Sequence, residues 1–170
     1  MLPRNDIFFY VILSVSENSH RTIALIAVIA RHEVPRQSVG VKCGASVLVL
    51  AEDGVSTKEC YEKFDSVGAA TDAAATAKAV AAAESGDLPA LFKCVGNDLA
   101  IPAATLNAEV GKNLAALKDL SPSACTVTGS GSAVFALYET PELCRWACDK
   151  LKKGGYNAII VYTVPRYSMR

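Results

Sequence analysis

Net charge is the first feature that the sequence lacks. Its 17 basic residues equal its 17 acidic residues over 170 positions. Binding to nucleic acid or to an anionic membrane surface draws on a basic excess. The two N-terminal apolar runs, IFFYVILSV and TIALIAVIA, are also shorter than a membrane-spanning helix. The composition therefore predicts no nucleic-acid partner and no membrane partner.

The sequence also lacks the spacing patterns of a metal centre or a disulfide scaffold. None of its six cysteines forms a Cys-x-x-Cys pair, and His20 and His32 stand far from most of them. We therefore expect no metal site, reduced thiols and a cytoplasmic location. Cys144 and Cys148 lie four residues apart, on one face of a predicted helix, and are interpreted as small buried apolar residues.

The chain is long enough for one substantial core and a small appendage. Residues 1–40 are predicted to form a divergent N-terminal segment of packed strands or a helix, because two apolar runs flank the polar stretch SENSHR. A cleaved leader is the alternative, although Asn5 and Asp6 interrupt its expected start. Residues 41–170 are predicted to form the main domain.

The main domain begins with a strand followed by helices. The aliphatic residues 47–50 predict a buried strand, and Ser56 or Thr57 marks the start of a helix. Residues 69–83 are dominated by alanine and predict a packing helix that stops at Gly86.

A short helix is expected over residues 88–93, and a long one after Gly96. Asn97 or Asp98 is predicted to cap the long helix, with Pro102 in its first turn. Its apolar residues recur at helical spacing: Leu106, Val110, Leu114 and Leu117.

The last third of the chain returns to strand signals. ACTVTGSGSAVFALYE predicts two strands joined by a glycine loop, and YNAIIVYTV predicts a final strand. Between them, Thr140 caps a helix that has Pro141 at its first position and Gly154 after its end. The order of elements implies an α+β fold, in which helices cover one face of an antiparallel sheet.

The loop in TVTGSGSAVFAL matches neither common phosphate-binding motif. No lysine follows its glycines before Lys150, which excludes a Walker loop, and Val134 stands where a dinucleotide motif needs a third glycine. Two interpretations stay open. The loop is either a nest of N–H and hydroxyl donors for a phosphate oxygen, or a structural hairpin turn.

Three motifs of the main domain occur in a fixed order. They are GVSTKECYEKFD at residues 54–65, GNDLA at 96–100 and TGSGSAVFALYET at 128–140. At these separations they resemble the C-terminal half of the GHMP kinases, over about residues 45–164. The resemblance implies a ferredoxin-like antiparallel sheet with helices on one face, and makes residues 41–170 a domain of the GHMP kinase C-terminal type.

In the GHMP kinases the glycine-rich third motif lies at the active-site cleft, beside the bound substrate. The resemblance therefore assigns substrate binding to seven residues: Thr128, Gly129, Ser130, Gly131, Ser132, Asn97 and Asp98. Ser56 and Thr57 correspond to the family's strand-to-helix turn. It assigns no catalytic residue, and Asn97 is interpreted as a helix cap as well as a binding residue.

Several parts of the family's pattern are missing from the sequence. The ATP phosphate loop, Pro-x-Gly-x-Gly-Leu-Gly followed by small residues and two serines, is absent, as are the N-terminal lysine strand and the catalytic aspartate after it. Ala100 replaces the acidic residue that often follows Asn-Asp-Leu. The resemblance implies ATP and Mg²⁺ as cofactors, and the missing parts predict that this chain alone holds neither.

Two functions follow from these observations. The first is a C-terminal portion or divergent relative of an ATP-dependent small-molecule kinase, with a phosphorylated or nucleotide-linked isoprenoid precursor alcohol as its substrate. Such a chain would be inactive alone and would need the missing N-terminal half as its partner. The second is a non-catalytic ferredoxin-like binding or dimerisation module, for which a homodimer is expected.

Overall fold

A computed structural model describes the backbone of residues 45–67, 78–79, 81–82 and 85–163. It also describes the backbone of three short strands in the two N-terminal apolar runs: β1 (Phe8–Tyr10), β2 (Leu13–Ser14) and β3 (Ala27–Ile29). Strands β1 and β3 pair in antiparallel orientation. The predicted domain boundary near residue 40 lies outside the described residues and stays a prediction.

The main sheet has four long strands: β4 (Ala45–Leu50), β5 (Ala124–Thr128), β6 (Ala133–Leu137) and β7 (Ala158–Thr163). With the short strand β2 at one edge, the strand order is β2-β7-β4-β6-β5, and all neighbours are antiparallel. The four long strands and their helical connections have the split βαβ arrangement of the ferredoxin-like fold. The predicted fold class is therefore confirmed.

Five helices have both ends in the described part of the chain: α1 (Thr57–Val67), α2 (Leu88–Lys93), α3 (Ala100–Leu106), α4 (Ala108–Lys118) and α5 (Pro141–Lys153). Helices α4 and α5 pack on the sheet, and α1 packs on α3. Val47 and Val49 of β4 point towards this layer and share one core cluster with Leu117 of α4 and Leu151 of α5. This cluster holds the helices to the sheet by removing apolar surface from water.

The opposite face of the sheet carries a second, smaller apolar cluster. Leu48 alternates with Val47 and Val49 along β4 and packs in this cluster with Phe135 of β6. The short helix α2 adds Phe92 to the same cluster. The larger helical layer thus covers one face as predicted, and α2 contributes to the other face as well.

The predicted long helix after Gly96 is wrong, because Asn107 divides it into α3 and α4. Asn107 has an extended backbone, with φ −133° and ψ 108°, and its side chain accepts the N–H of Glu109. Asparagine offers its backbone such a local alternative to the helix. As a consequence Leu106 is 42% exposed and does not join the apolar row. The cap position of α3 is Leu99, so the predicted caps Asn97 and Asp98 lie just before it.

The other helix signals agree with the structure where it describes them. Thr140 caps α5 by accepting the N–H of Leu143, and Pro141 opens the helix. Of the alanine-rich segment, residues 78–79 and 81–82 are helical, and the rest of this prediction lies largely outside the described residues. No helix within the described residues has the length and apolarity needed to cross a membrane.

The two cysteines of α5 are buried, as predicted. Cys144 is 0% exposed and Cys148 is 1% exposed. Burial raises the pKa of Cys144 from its ordinary value of 9.0 to about 12, with a further contribution from the neighbouring Cys148. The Cys144 thiol is therefore neutral at physiological pH and behaves as a packed apolar group.

We predict that Cys144 makes the fold less stable in alkali. The pKa of Cys144 is higher in the folded state than in the unfolded state. The stability that this difference adds to the unfolding free energy is therefore fully present below about pH 9 and is lost as the pH rises towards about 12. We expect the unfolding free energy, measured with urea, to fall between about pH 8 and about pH 10.5 in both proteins, and to fall less in Cys144→Ala than in the wild type. Equal losses in the two proteins would contradict the assignment.

Candidate functional site

The glycine loop, residues 129–132, joins β5 to β6 in a tight hairpin. Gly129 and Gly131 both have left-handed backbones, with φ of 61° and 88°. The N–H of Gly131 turns back to donate to the carbonyl oxygen of Thr128 at 3.2 Å. Left-handed conformations are readily adopted by glycine and costly for other residues, which explains the two glycines.

Gly131 lies directly against helix α3. A Cβ atom placed on Gly131 would stand 2.7 Å from the Cβ of Ala103, which is closer than real Cβ atoms approach. Ala103 is itself 0% exposed. The loop can therefore sit on α3 only with glycine at position 131 and a small residue at position 103.

Asn97 holds the glycine loop from the segment before α3. Its Nδ2 donates to the carbonyl oxygens of Val127 and Gly129, at 3.1 and 2.9 Å. Its Oδ1 accepts the N–H of Leu99 at 2.9 Å. Both N–H donors of the carboxamide are thus engaged, so Asn97 ties the start of α3 to the hairpin.

The glycine loop is also tied to the turn between β4 and α1. The hydroxyl groups of Ser130 and Thr57 share a hydrogen bond of 2.9 Å between their Oγ and Oγ1 atoms. The carbonyl oxygen of Ser132 accepts the N–H of Ala51 at 2.8 Å. The three sequence motifs, which are far apart in the chain, therefore meet at one end of the sheet.

Six of the seven predicted site residues lie in or against the glycine loop: Thr128, Gly129, Ser130, Gly131, Ser132 and Asn97. Asp98 is next to Asn97, and its side chain is exposed. Substrate binding by these residues stays a prediction. Outside the strand ladder, no backbone carbonyl of the described residues accepts the N–H groups of Gly129, Ser130 or Ser132.

Two residues that the sequence reasoning missed complete the surroundings of the loop. Asn107 donates from Nδ2 to the carbonyl oxygen of Asp53 at 3.1 Å. Glu109 accepts the N–H of Glu52 through Oε2 at 2.9 Å. The pattern Asn-Ala-Glu, an N-cap residue followed by an acidic first turn, is the signal that would have revealed this second helix start.

The chemistry of the donors limits what this end of the molecule can bind. The side chains that meet there offer hydroxyl and carboxamide groups, and no lysine or arginine within the described residues hydrogen-bonds the glycine loop. The described residues contain no cluster of three or more His, Cys, Asp or Glu side chains that could hold a metal ion. A magnesium-bound triphosphate is held with a lysine or arginine on its phosphates, so the hydroxyl and carboxamide groups at the loop do not by themselves fit Mg·ATP. They fit a hydroxyl group or a single phosphate oxygen.

Comparison with known proteins places this architecture in a family. Residues 79–157 match the family model described as "GHMP kinases C terminal". Together with the ferredoxin-like sheet and the glycine loop, this match shows that the chain contains a domain of the GHMP kinase C-terminal type. The expected resemblance is thereby confirmed.

Among individual relatives, the chain is similar to 4-diphosphocytidyl-2-C-methyl-D-erythritol kinase from Arthrobacter sp. (strain FB24). The two sequences are 32% identical over 122 residues, which is 68% of this chain and 38% of the relative. The chain thus spans well under half the length of the curated relative that it matches.

Solved structures agree on the fold. A crystal structure of 4-(cytidine 5'-diphospho)-2C-methyl-D-erythritol kinase matches with a TM-score of 0.54 and 24% identity, over 69% of this chain and 41% of that one. Homoserine kinase from Cytophaga hutchinsonii matches with a TM-score of 0.57 and 20% identity, over 72% of this chain and 42% of that one.

The close contact under the glycine loop leads to a stability prediction. Gly131→Ala forces a left-handed alanine and overlaps Ala103, so we expect it to cost about 2–5 kcal/mol of unfolding free energy. Gly129→Ala is the matched control, because it is also left-handed but has no atom within 4 Å of the added Cβ. Its expected cost is about 1–2 kcal/mol. Equal costs in urea unfolding would show that Gly131 does not touch α3.

The hydrogen bonds of Asn97 lead to a second prediction. Asn97→Asp keeps an oxygen to accept the Leu99 N–H but loses both donors and places a carboxylate against two carbonyl oxygens. We expect a loss of about 1–3 kcal/mol in unfolding free energy, measured with urea. Thr105→Ala in α3 removes one exposed hydrogen bond and should change stability by less than about 1 kcal/mol. An unchanged stability for Asn97→Asp would contradict the role of Asn97.

Proposed function

We propose that this chain forms the C-terminal part of an ATP-dependent kinase for 4-diphosphocytidyl-2-C-methyl-D-erythritol, an alcohol in isoprenoid precursor synthesis by the non-mevalonate pathway. The observation that carries this proposal is the meeting of the three motifs at the glycine loop, in a chain 32% identical to such a kinase over 122 residues. In this proposal, the glycine loop of this chain forms one wall of the cleft that binds the substrate.

The glycine loop supplies the contacts to the substrate in this proposal. The hydroxyl groups of Ser130 and Ser132 and the N–H groups of the loop are small, neutral donors that suit hydroxyl or phosphate oxygens. Thr128, Gly129 and Gly131 give the loop its shape. Asn97 acts through the loop, because both of its N–H donors bind loop or strand carbonyls.

Transfer of the phosphate requires groups from outside this chain. The sequence contains no Pro-x-Gly-x-Gly-Leu-Gly phosphate loop, and the side chains that meet at the glycine loop offer hydroxyl and carboxamide groups without a lysine or arginine of the described residues. Phosphoryl transfer obtains its rate from positioning and charge stabilisation around the phosphates and the metal. In this proposal an N-terminal kinase half is therefore the partner that holds ATP and Mg²⁺ and supplies the catalytic base.

The same missing groups favour a second candidate, a non-catalytic ferredoxin-like module for binding or dimerisation. It predicts no affinity for the cytidyl substrate together with a tight homodimer. Calorimetry and analytical ultracentrifugation on the full chain separate the two candidates, because the kinase proposal needs substrate affinity and the module does not.

Substrate binding provides the direct test of the proposed function. Calorimetry should show that the wild-type chain binds 4-diphosphocytidyl-2-C-methyl-D-erythritol and that Ser130→Ala binds it about three- to tenfold more weakly, as expected for one lost hydrogen bond. Thr57→Val is the matched control. Like Ser130→Ala, it removes the hydrogen bond between Thr57 and Ser130, but it leaves the Ser130 hydroxyl for the ligand. Ser66→Ala, on α1, should bind like the wild type.

Two results would contradict the proposal. One is the absence of substrate binding by the wild-type chain, or equal binding by Ser130→Ala. The other is ATP-dependent phosphorylation of the substrate by this chain alone, which would show that it contains the transfer machinery that we assign to a partner.

A further inference from the structure

We propose that Asn107 and Glu109, at the break between α3 and α4, are positioning residues for the glycine-loop site. They hold the loop between β4 and α1, residues 51–56, so that Thr57 reaches Ser130. The inference rests on the proposed function for its role in binding, but its test needs no ligand.

Asn107 uses its carboxamide in two directions. Its Oδ1 accepts the N–H of Glu109 at 2.9 Å and so starts α4. Its Nδ2 donates to the carbonyl oxygen of Asp53 at 3.1 Å, across 54 positions of sequence. The helix start and the β4–α1 loop are therefore fixed by the same side chain.

Glu109 adds a second, charged hydrogen bond to the same loop. Its Oε2 accepts the backbone N–H of Glu52 at 2.9 Å. Hydrogen bonds to a carboxylate are stronger than neutral ones. The two peptide groups that flank residues 52 and 53 are thus both held: the one before Glu52 through its N–H and the one after Asp53 through its carbonyl oxygen.

The held loop leads directly to the glycine loop. Ala51, just before Glu52, donates its N–H to Ser132, and Thr57, three residues after Gly54, shares its hydrogen bond with Ser130. Both ends of residues 51–57 therefore touch the glycine loop, and Asn107 and Glu109 hold the middle. A shift of this middle part would move the Thr57 hydroxyl relative to Ser130.

The break in the helix is what makes this arrangement available. Asn97 before α3 and Asn107 before α4 use their carboxamides in the same way, with the oxygen on an N–H at the start of a helix and the nitrogen on a loop carbonyl. A continuous helix from 100 to 118 would provide only the first of these positions. The second helix start allows one helical layer to hold both loops.

Nuclear magnetic resonance of the labelled full chain tests the proposal. In Asn107→Asp, which keeps the acceptor for Glu109 and loses the donor to Asp53, the amide signals of Thr57, Ser130 and Gly131 should shift. Glu109→Ala should shift the same signals and speed hydrogen exchange at the Glu52 amide by about tenfold. Glu109→Gln carries no charge but keeps an oxygen acceptor for the Glu52 N–H. It should therefore give amide signals and a Glu52 exchange rate close to those of the wild type.

Thr105→Ala is the control for stability, since it removes a side-chain hydrogen bond from the same helical layer without touching either loop. It should leave the signals of Thr57 and Ser130 in place. The proposal is overturned if these signals are unchanged in Glu109→Ala, or if Glu109→Gln behaves like Glu109→Ala. The Asn107–Asp53 and Glu109–Glu52 hydrogen bonds are separate. If Glu109→Ala does not fold, Asn107→Asp therefore decides the question, and unchanged signals of Thr57 and Ser130 in that variant overturn the proposal.

Discussion

The close approach of Gly131 to Ala103 is the constraint on which the site end of the molecule depends. It requires a left-handed backbone at Gly131 and a small side chain at Ala103. Once the hairpin sits on α3, Asn97 is within hydrogen-bonding distance of Val127 and Gly129. The glycines are therefore explained first by packing and backbone conformation, and the donors that they leave near the surface follow from that packing.

The end of β4 connects this local arrangement to the rest of the fold. Leu50 donates its N–H to the carbonyl oxygen of Asn157 before β7, Ala51 donates to Ser132, and Glu52 donates to Glu109. Three consecutive residues thus join the last strand, the glycine loop and α4. Because β4 is central in the sheet and its valines are 0% exposed, the core fixes the position of the site.

The fold class could be predicted because its signals are local and repeated. Thr140 with Pro141, the aliphatic runs of the strands and the glycine hairpin each determine one element, and their order determines the topology. The break at Asn107 was not predicted, because the apolar spacing continued across it and outweighed the cap pattern. The contacts of Asn107 and Glu109 with residues 52 and 53 were not predictable either, since they depend on tertiary neighbours that periodicity does not reveal.

The glycine loop lies in a domain of the GHMP kinase C-terminal type, which explains why it occurs without a phosphate-binding lysine. Its proposed role is to form one wall of a substrate cleft. That account depends on the loop being seated on α3. The most direct measurement is the nuclear Overhauser effect between the Hα protons of Gly131 and the methyl group of Ala103 in the full chain. The account predicts a strong cross-peak, and its absence, with both residues assigned, would contradict it.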